Sequence, residues 1–144
     1  MTLFEVSVRY DKSMEDGHTK KAAETYLVDA QTFTEAEIRT TTETSHFTSG
    51  EMEVSAIKRS NITVVLMPAP TDDGQKWFRA KLNFIALDEK TAKEKKHAVY
   101  YAVYATDIDK AHRFIDNYMD DSVTIYEVAA INDTKIVEFI TQHA

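Results

Sequence analysis

Met52-Glu53-Val54-Ser55-Ala56-Ile57 returns as Tyr126-Glu127-Val128-Ala129-Ala130-Ile131, 74 residues further along the chain. Two alternating strands agree cheaply, because all strands share a period of two, so the match gains its weight from what surrounds it. Toward the N-terminus, Phe4-Glu5-Val6-Ser7-Val8-Arg9-Tyr10 sets against Phe78-Arg79-Ala80-Lys81-Leu82-Asn83-Phe84 at the same spacing, and the apolar positions coincide. Next, Lys20-Lys21 through Tyr26-Leu27-Val28-Asp29-Ala30 returns as Lys95-Lys96 through Tyr101-Ala102-Val103-Tyr104-Ala105 at a spacing of 75, the connecting loop having gained one residue.

Each copy then carries a helix start, Thr32 with Glu35 three residues later and Asp107 at the matching place. Helices are expected over roughly 33–43 and 108–118, with Phe33, Ala36 and Ile38, then Ile108, Ala111, Phe114, Ile115 and Tyr118, on their buried faces. A weaker pairing, Ile62 to Leu66 against Ile136 to Ile140, marks a further strand in each copy.

Order, spacing and helix start agree, so the chain reads as an internal duplication. The expected fold is α+β: two tandem pseudo-symmetric strand-strand-helix-strand(-strand) repeats, residues 1–67 and 76–144, forming one compact domain with antiparallel sheet. Residues 68–75, with Pro68, Pro70 and the Asp73-Gly74 step, are loop chemistry and serve as the linker.

At 144 residues the chain is one ordinary domain, since each half alone would hold a marginal core. No apolar run approaches the ~20 residues that cross a bilayer. The start, Met1-Thr2-Leu3-Phe4-Glu5, lacks signal-peptide character. No membrane partner and a cytoplasmic location are therefore expected. The absence of cysteine excludes disulfides, thiol chemistry and the usual structural zinc sites. A net charge of -7 argues against wrapping duplex DNA by bulk electrostatics, though not against a local basic strip.

Such a strip follows from strand alternation. With Phe78, Ala80, Leu82 and Phe84 on one face, Trp77, Arg79, Lys81 and Asn83 take the other. On the neighbouring strand Val99, Tyr101, Val103 and Ala105 point inward, which turns Lys96, Tyr100 and Tyr104 outward. Rings that stack bases and cations that meet phosphates are the ingredients of a single-strand platform. The candidate binding residues are Trp77, Arg79, Lys81, Lys96, Tyr100 and Tyr104, joined from the first copy by Arg9 and Lys21. The same face would equally pack against the sister repeat or a second protomer, Lys and Arg stems covering apolar surface.

Catalytic motifs are missing. There is no Gly-rich phosphate loop, no Gly-x-Ser-x-Gly elbow and no His-Glu-x-x-His. His18, His46, His97, His112 and His143 are scattered without ligand spacing, and the doublets Asp72-Asp73 and Asp120-Asp121 read as turn residues. Glu53 and Glu127 occupy matching positions, as a symmetric carboxylate pair or as solvent-facing strand residues. No catalytic residue, metal or cofactor is expected.

The stretches Phe4-Glu5-Val6-Ser7-Val8-Arg9-Tyr10-Asp11-Lys12, Tyr26-Leu27-Val28-Asp29-Ala30, Phe33-Thr34-Glu35-Ala36-Glu37, Ile57-Lys58-Arg59 and Lys76-Trp77-Phe78, with Phe84 through Lys90, carry a resemblance to the domain-of-unknown-function family 4494 of Bacteroidetes, their phages and mobile elements. That resemblance covers nearly the whole chain and brings no catalytic motif. It implies a phage or mobile-element setting and hence the host-cell cytoplasm. The expected function is a non-catalytic protein that binds single-stranded nucleic acid or a nucleotide. The alternative is an anti-defence inhibitor that binds a host defence protein or sequesters a small nucleotide signal, and a homodimer is a candidate assembly for either.

Overall fold

The computed structural model describes residues 2–45, 51–68 and 74–141. Residues 69–73 of the linker, with Asp72-Asp73, and His46 and His143 lie outside them. The chain is α+β. In order it forms β1 (Leu3–Ser13), β2 (Thr19–Asp29), α1 (Phe33–Thr44), β3 (Met52–Arg59) and β4 (Ile62–Leu66), then β5 (Lys76–Leu87), β6 (Glu94–Ala105), α2 (Ile108–Met119), β7 (Ile125–Asp133) and β8 (Ile136–Ile140).

Both helices begin where an oxygen-bearing side chain can satisfy a free amide of the first turn. Thr32 accepts from the Glu35 amide at 3.1 Å and Asp107 from the Lys110 amide at 2.8 Å. Glu35 turns back to the Gln31 amide at 3.0 Å, and Arg39 bonds both Glu35 and the Asp29 carbonyl.

The buried stripe of α1 is not the expected one. Ala36, Thr40 and Thr44 are buried, whereas Phe33 and Ile38 are 47% and 59% exposed. Ile38 lies two residues, about 200°, around the helix from Ala36 and cannot share its face. The threonines can be buried because Thr40 and Thr44 donate to the carbonyls of Ala36 and Thr40, at 2.8 and 2.7 Å. The same stripe in α2 is Ala111, Ile115 and Met119, while Ile108 and Tyr118 of the expected face are half exposed.

Two four-stranded sheets result, in the orders β3-β1-β2-β8 and β4-β6-β5-β7. The hairpins β1–β2 and β5–β6 and the third strands β3 and β7 pair antiparallel, as alternation within each repeat requires. The fourth strands do not stay with their own repeat. β8 pairs parallel with β2 and β4 pairs parallel with β6. The chain accordingly divides into a first unit, Met1–Ser60 with Lys135–Ala144, and a second unit, Asn61–Thr134. The boundaries of the units and those of the sequence repeats differ by one exchanged strand in each.

Irregularities recur with the pattern. The ladder to the third strand slips between Ser7 and Val8 and again between Lys81 and Leu82, 74 residues later. The ladder to the fourth strand slips at Thr25/Tyr26 in one sheet and at Ile62/Val64, opposite Tyr100/Tyr101, in the other. Bulges are specific local features, and their recurrence at matching places is a stronger sign of duplication than the shared alternation.

Each unit packs its helix on one sheet face. The first core gathers Phe4, Val6, Val8, Tyr26, Val28 and Ala36 with Ile140 of β8. The second gathers Phe78, Ala80, Leu82, Tyr101, Val103 and Ile115 with Leu66 of β4.

Candidate nucleic-acid interface

The residues of interest lie on the sheet faces turned away from the helices. On β5 and β6 the register sets Trp77 across from Tyr104, Arg79 from Ala102, Lys81 from Tyr100, Asn83 from Ala98 and Ile85 from Lys96. Trp77, Arg79, Lys81, Lys96, Tyr100 and Tyr104 therefore share one face, as alternation predicts.

That face is not uniformly open. At one end Trp77 is 2% exposed and Ala102 is fully buried, with the indole 4.8 Å from the Tyr104 ring. The expectation of a solvent-facing Trp77 is corrected. The start of β5 is apolar on both sides, Phe78 below and Trp77 above, so alternation separates the two faces without making either one wet. The first unit has the same gradient, from buried Leu3 and Leu27 to exposed Arg9, Ala23 and Lys21. Arg79, Lys81, Asn83, Tyr100 and Tyr104 are half-buried, and Lys96 is exposed.

Toward the hairpin tip the second unit holds a small polar network. Glu127 of β7 accepts from Asn83 Nδ2 at 2.9 Å and from Lys96 Nζ at 2.8 Å. The hydrogen bond from Lys96, with that from Asn83, holds the Glu127 carboxyl below its ordinary value, and the same bond to Glu127 raises Lys96. This role of Glu127 was not apparent from spacing alone, since it depends on the bulge that aligns Glu127 with Asn83. Among the described residues none forms an ion pair with Lys81, Arg9 or Lys21. Lys81, directly across from Tyr100, is thus a cation without an ion-pair partner among the described residues, beside a half-buried ring.

The first unit's share of the predicted site sits at its own hairpin end. Arg9 and Lys21 line a depression of about 440 Å³ together with Asp11, Glu51 and Glu53. Behind it, on the helix face, Tyr10 and Tyr26 each donate at 2.6 Å to a different oxygen of Glu24. The second copy has Phe84, Val99 and Tyr101 at those places, so this triad belongs to the first unit alone.

The family model for a domain of unknown function, DUF4494, matches residues 2–143. The chain belongs to that family. Among curated proteins none matches it. For this DUF4494 protein, no helix among the described residues is long and apolar enough to cross a membrane. No three His, Asp or Glu side chains converge among them as a metal ion would need.

Proposed function

We propose that this DUF4494 protein is a non-catalytic single-strand nucleic-acid-binding protein whose platform is the open half of the second unit's sheet face. The observation that carries the reading is the pairing of Tyr100 with Lys81, which has no ion-pair partner among the described residues, across β5 and β6, with Asn83 one step and Lys96 two steps further along the same face. A base stacks on an aromatic face whatever its identity, and the Lys81 ammonium beside it meets the backbone. Trp77 supports this face from its buried end and takes no base.

A phage or mobile element as source, and the host cytoplasm as the place of action, are the setting we assign it from the motifs that carry the family resemblance. The net charge of -7 suits a protein that holds a single strand locally without condensing on duplex DNA.

The test is a fluorescence-anisotropy titration of labelled single-stranded and duplex oligonucleotides across a salt series. Single strands bind in preference to duplex. Tyr100→Ala costs roughly 1–3 kcal/mol, Lys81→Ala lowers the salt slope by about 1, and Trp77 emission stays unquenched. Binding that is unchanged in both variants overturns the platform. No binding at low salt overturns the function and leaves the host-protein inhibitor as the reading to pursue.

A further inference from the structure

The two units differ most where their folds match. Arg9, Asp11, Lys21, Glu51 and Glu53 of the first unit correspond by the repeat spacing to Asn83, Ile85, Lys96, Ile125 and Glu127 of the second. In the second unit the polar members satisfy one another, Asn83 and Lys96 both bonded to Glu127. In the first unit all five positions are charged, and all five residues line the 440 Å³ depression. Among the described residues none of the five forms an ion pair.

The layout follows from the ladders. Arg9 lies between Glu53 on β3 and Ala23 on β2, and Asp11 lies across from Lys21. Arg9 and Lys21 lie on a diagonal, with the small Ala23 across from Arg9 and Asp11 across from Lys21, while Glu53 and Glu51 lie on the β3 flank. Exposed charges of both signs around one concavity, Arg9 and Lys21 toward β2 and Glu51 and Glu53 toward β3, suit a ligand that carries an anion at one end and hydrogen-bond donors at the other. The volume is that of a small-molecule site rather than of a polymer groove.

We infer that this depression binds a single nucleoside monophosphate, with the phosphate on Arg9 and Lys21 and the amino edge of the base on Glu53. The assignment of a nucleotide rests on the nucleic-acid reading above, whereas the site itself rests on the contrast between the units. A guanidinium and an ammonium meet phosphate oxygens with charge-assisted bonds, and a carboxylate accepts from an exocyclic amine and a ring N–H. A base without an exocyclic amine offers Glu53 too few donors.

Calorimetric titration of the full chain with guanosine monophosphate, uridine monophosphate and inorganic phosphate tests this. Guanosine monophosphate binds, and the other two bind roughly tenfold more weakly or less. Arg9→Ala and Glu53→Gln each weaken guanosine monophosphate by about tenfold, and Glu53→Gln narrows its advantage over uridine monophosphate. Both side chains are exposed, so the variants retain the fold, which circular dichroism checks. Equal binding of all three ligands, or binding indifferent to both variants, overturns the inference, as does no binding of guanosine monophosphate. Lys81→Ala and Tyr100→Ala leave this binding unchanged, so failure of the depression and failure of the single-strand platform are read separately.

Discussion

Two phenols converge on one carboxylate at Glu24, and the arrangement has a titration signature. The hydrogen bond to Glu24, then burial, then the charge of Glu24 push Tyr10 up to about 12 from its ordinary 10.0. Burial, ahead of the same carboxylate, raises Tyr26. A group whose folded pKa is raised adds stability that is fully present below its unfolded pKa and is lost as pH climbs through the folded one. The triad therefore stabilises the first unit at neutral pH, and the share that Tyr10 contributes is lost between about pH 10 and about 12. In Glu24→Gln the Tyr10 midpoint, followed by ultraviolet absorbance, falls toward 10.0, whereas an unmoved midpoint would mean that burial alone sets it. A second residue-scale prediction concerns Ala92, whose φ of 56 lies in the left-handed region, at the place where the first hairpin has Gly17 with φ 86. Ala92→Gly should stabilise by about 0.5–1 kcal/mol, seen as a higher denaturation midpoint at constant slope. The repeat alignment displays this Gly-to-Ala difference, but the backbone angle that gives it meaning is not written in a residue type that tolerates most conformations.

Among the elements, both hairpins, both caps and both helices were legible, the helices to within a residue of their observed ends. Each follows from a local rule of period or capping. The face of α1 was not, because Thr40 and Thr44 count as polar in a sequence pattern and become core residues only once their hydroxyls bond back to the preceding turn. Partner choice for β4 and β8 was equally hidden, since a five-residue apolar strand reads the same whichever sheet receives it. β8 also carries an electrostatic cost in its adopted sheet. Desolvation, then the charge of Glu43, raises the Glu138 carboxyl, so its ionised form weakens the folded state as pH rises through that value. Glu138→Gln should slightly stabilise the protein at neutral pH and have no effect at a pH where Glu138 is already protonated, as paired thermal melts would show. A variant less stable at neutral pH would contradict this account of β8.

For the whole molecule, duplication and strand exchange together explain why two similar units can carry dissimilar surfaces. Each helix and sheet repeats its packing, so the core is set twice by one pattern, and the opposite faces are free to diverge into an aromatic and basic strip in one unit and a charged depression in the other. Eight predicted binding residues could be placed on those faces by alternation, but their accessibility could not, because exposure depends on what lies over a face and not on its period. Trp77 is the case in point, a residue on the expected face that is closed to ligand. The exchange also has a mechanical consequence: Ile140 lies in the second repeat of the sequence and in the core of the first unit. Native-state hydrogen exchange on Ile140→Ala tests this directly, the truncation costing roughly 2–5 kcal/mol. Amides of β1 and β2, around Val6 and Val28, are expected to lose protection first while those of Phe78 to Leu82 keep theirs. Loss that begins in β5 and β6 would place β8 with its own repeat and contradict the exchange.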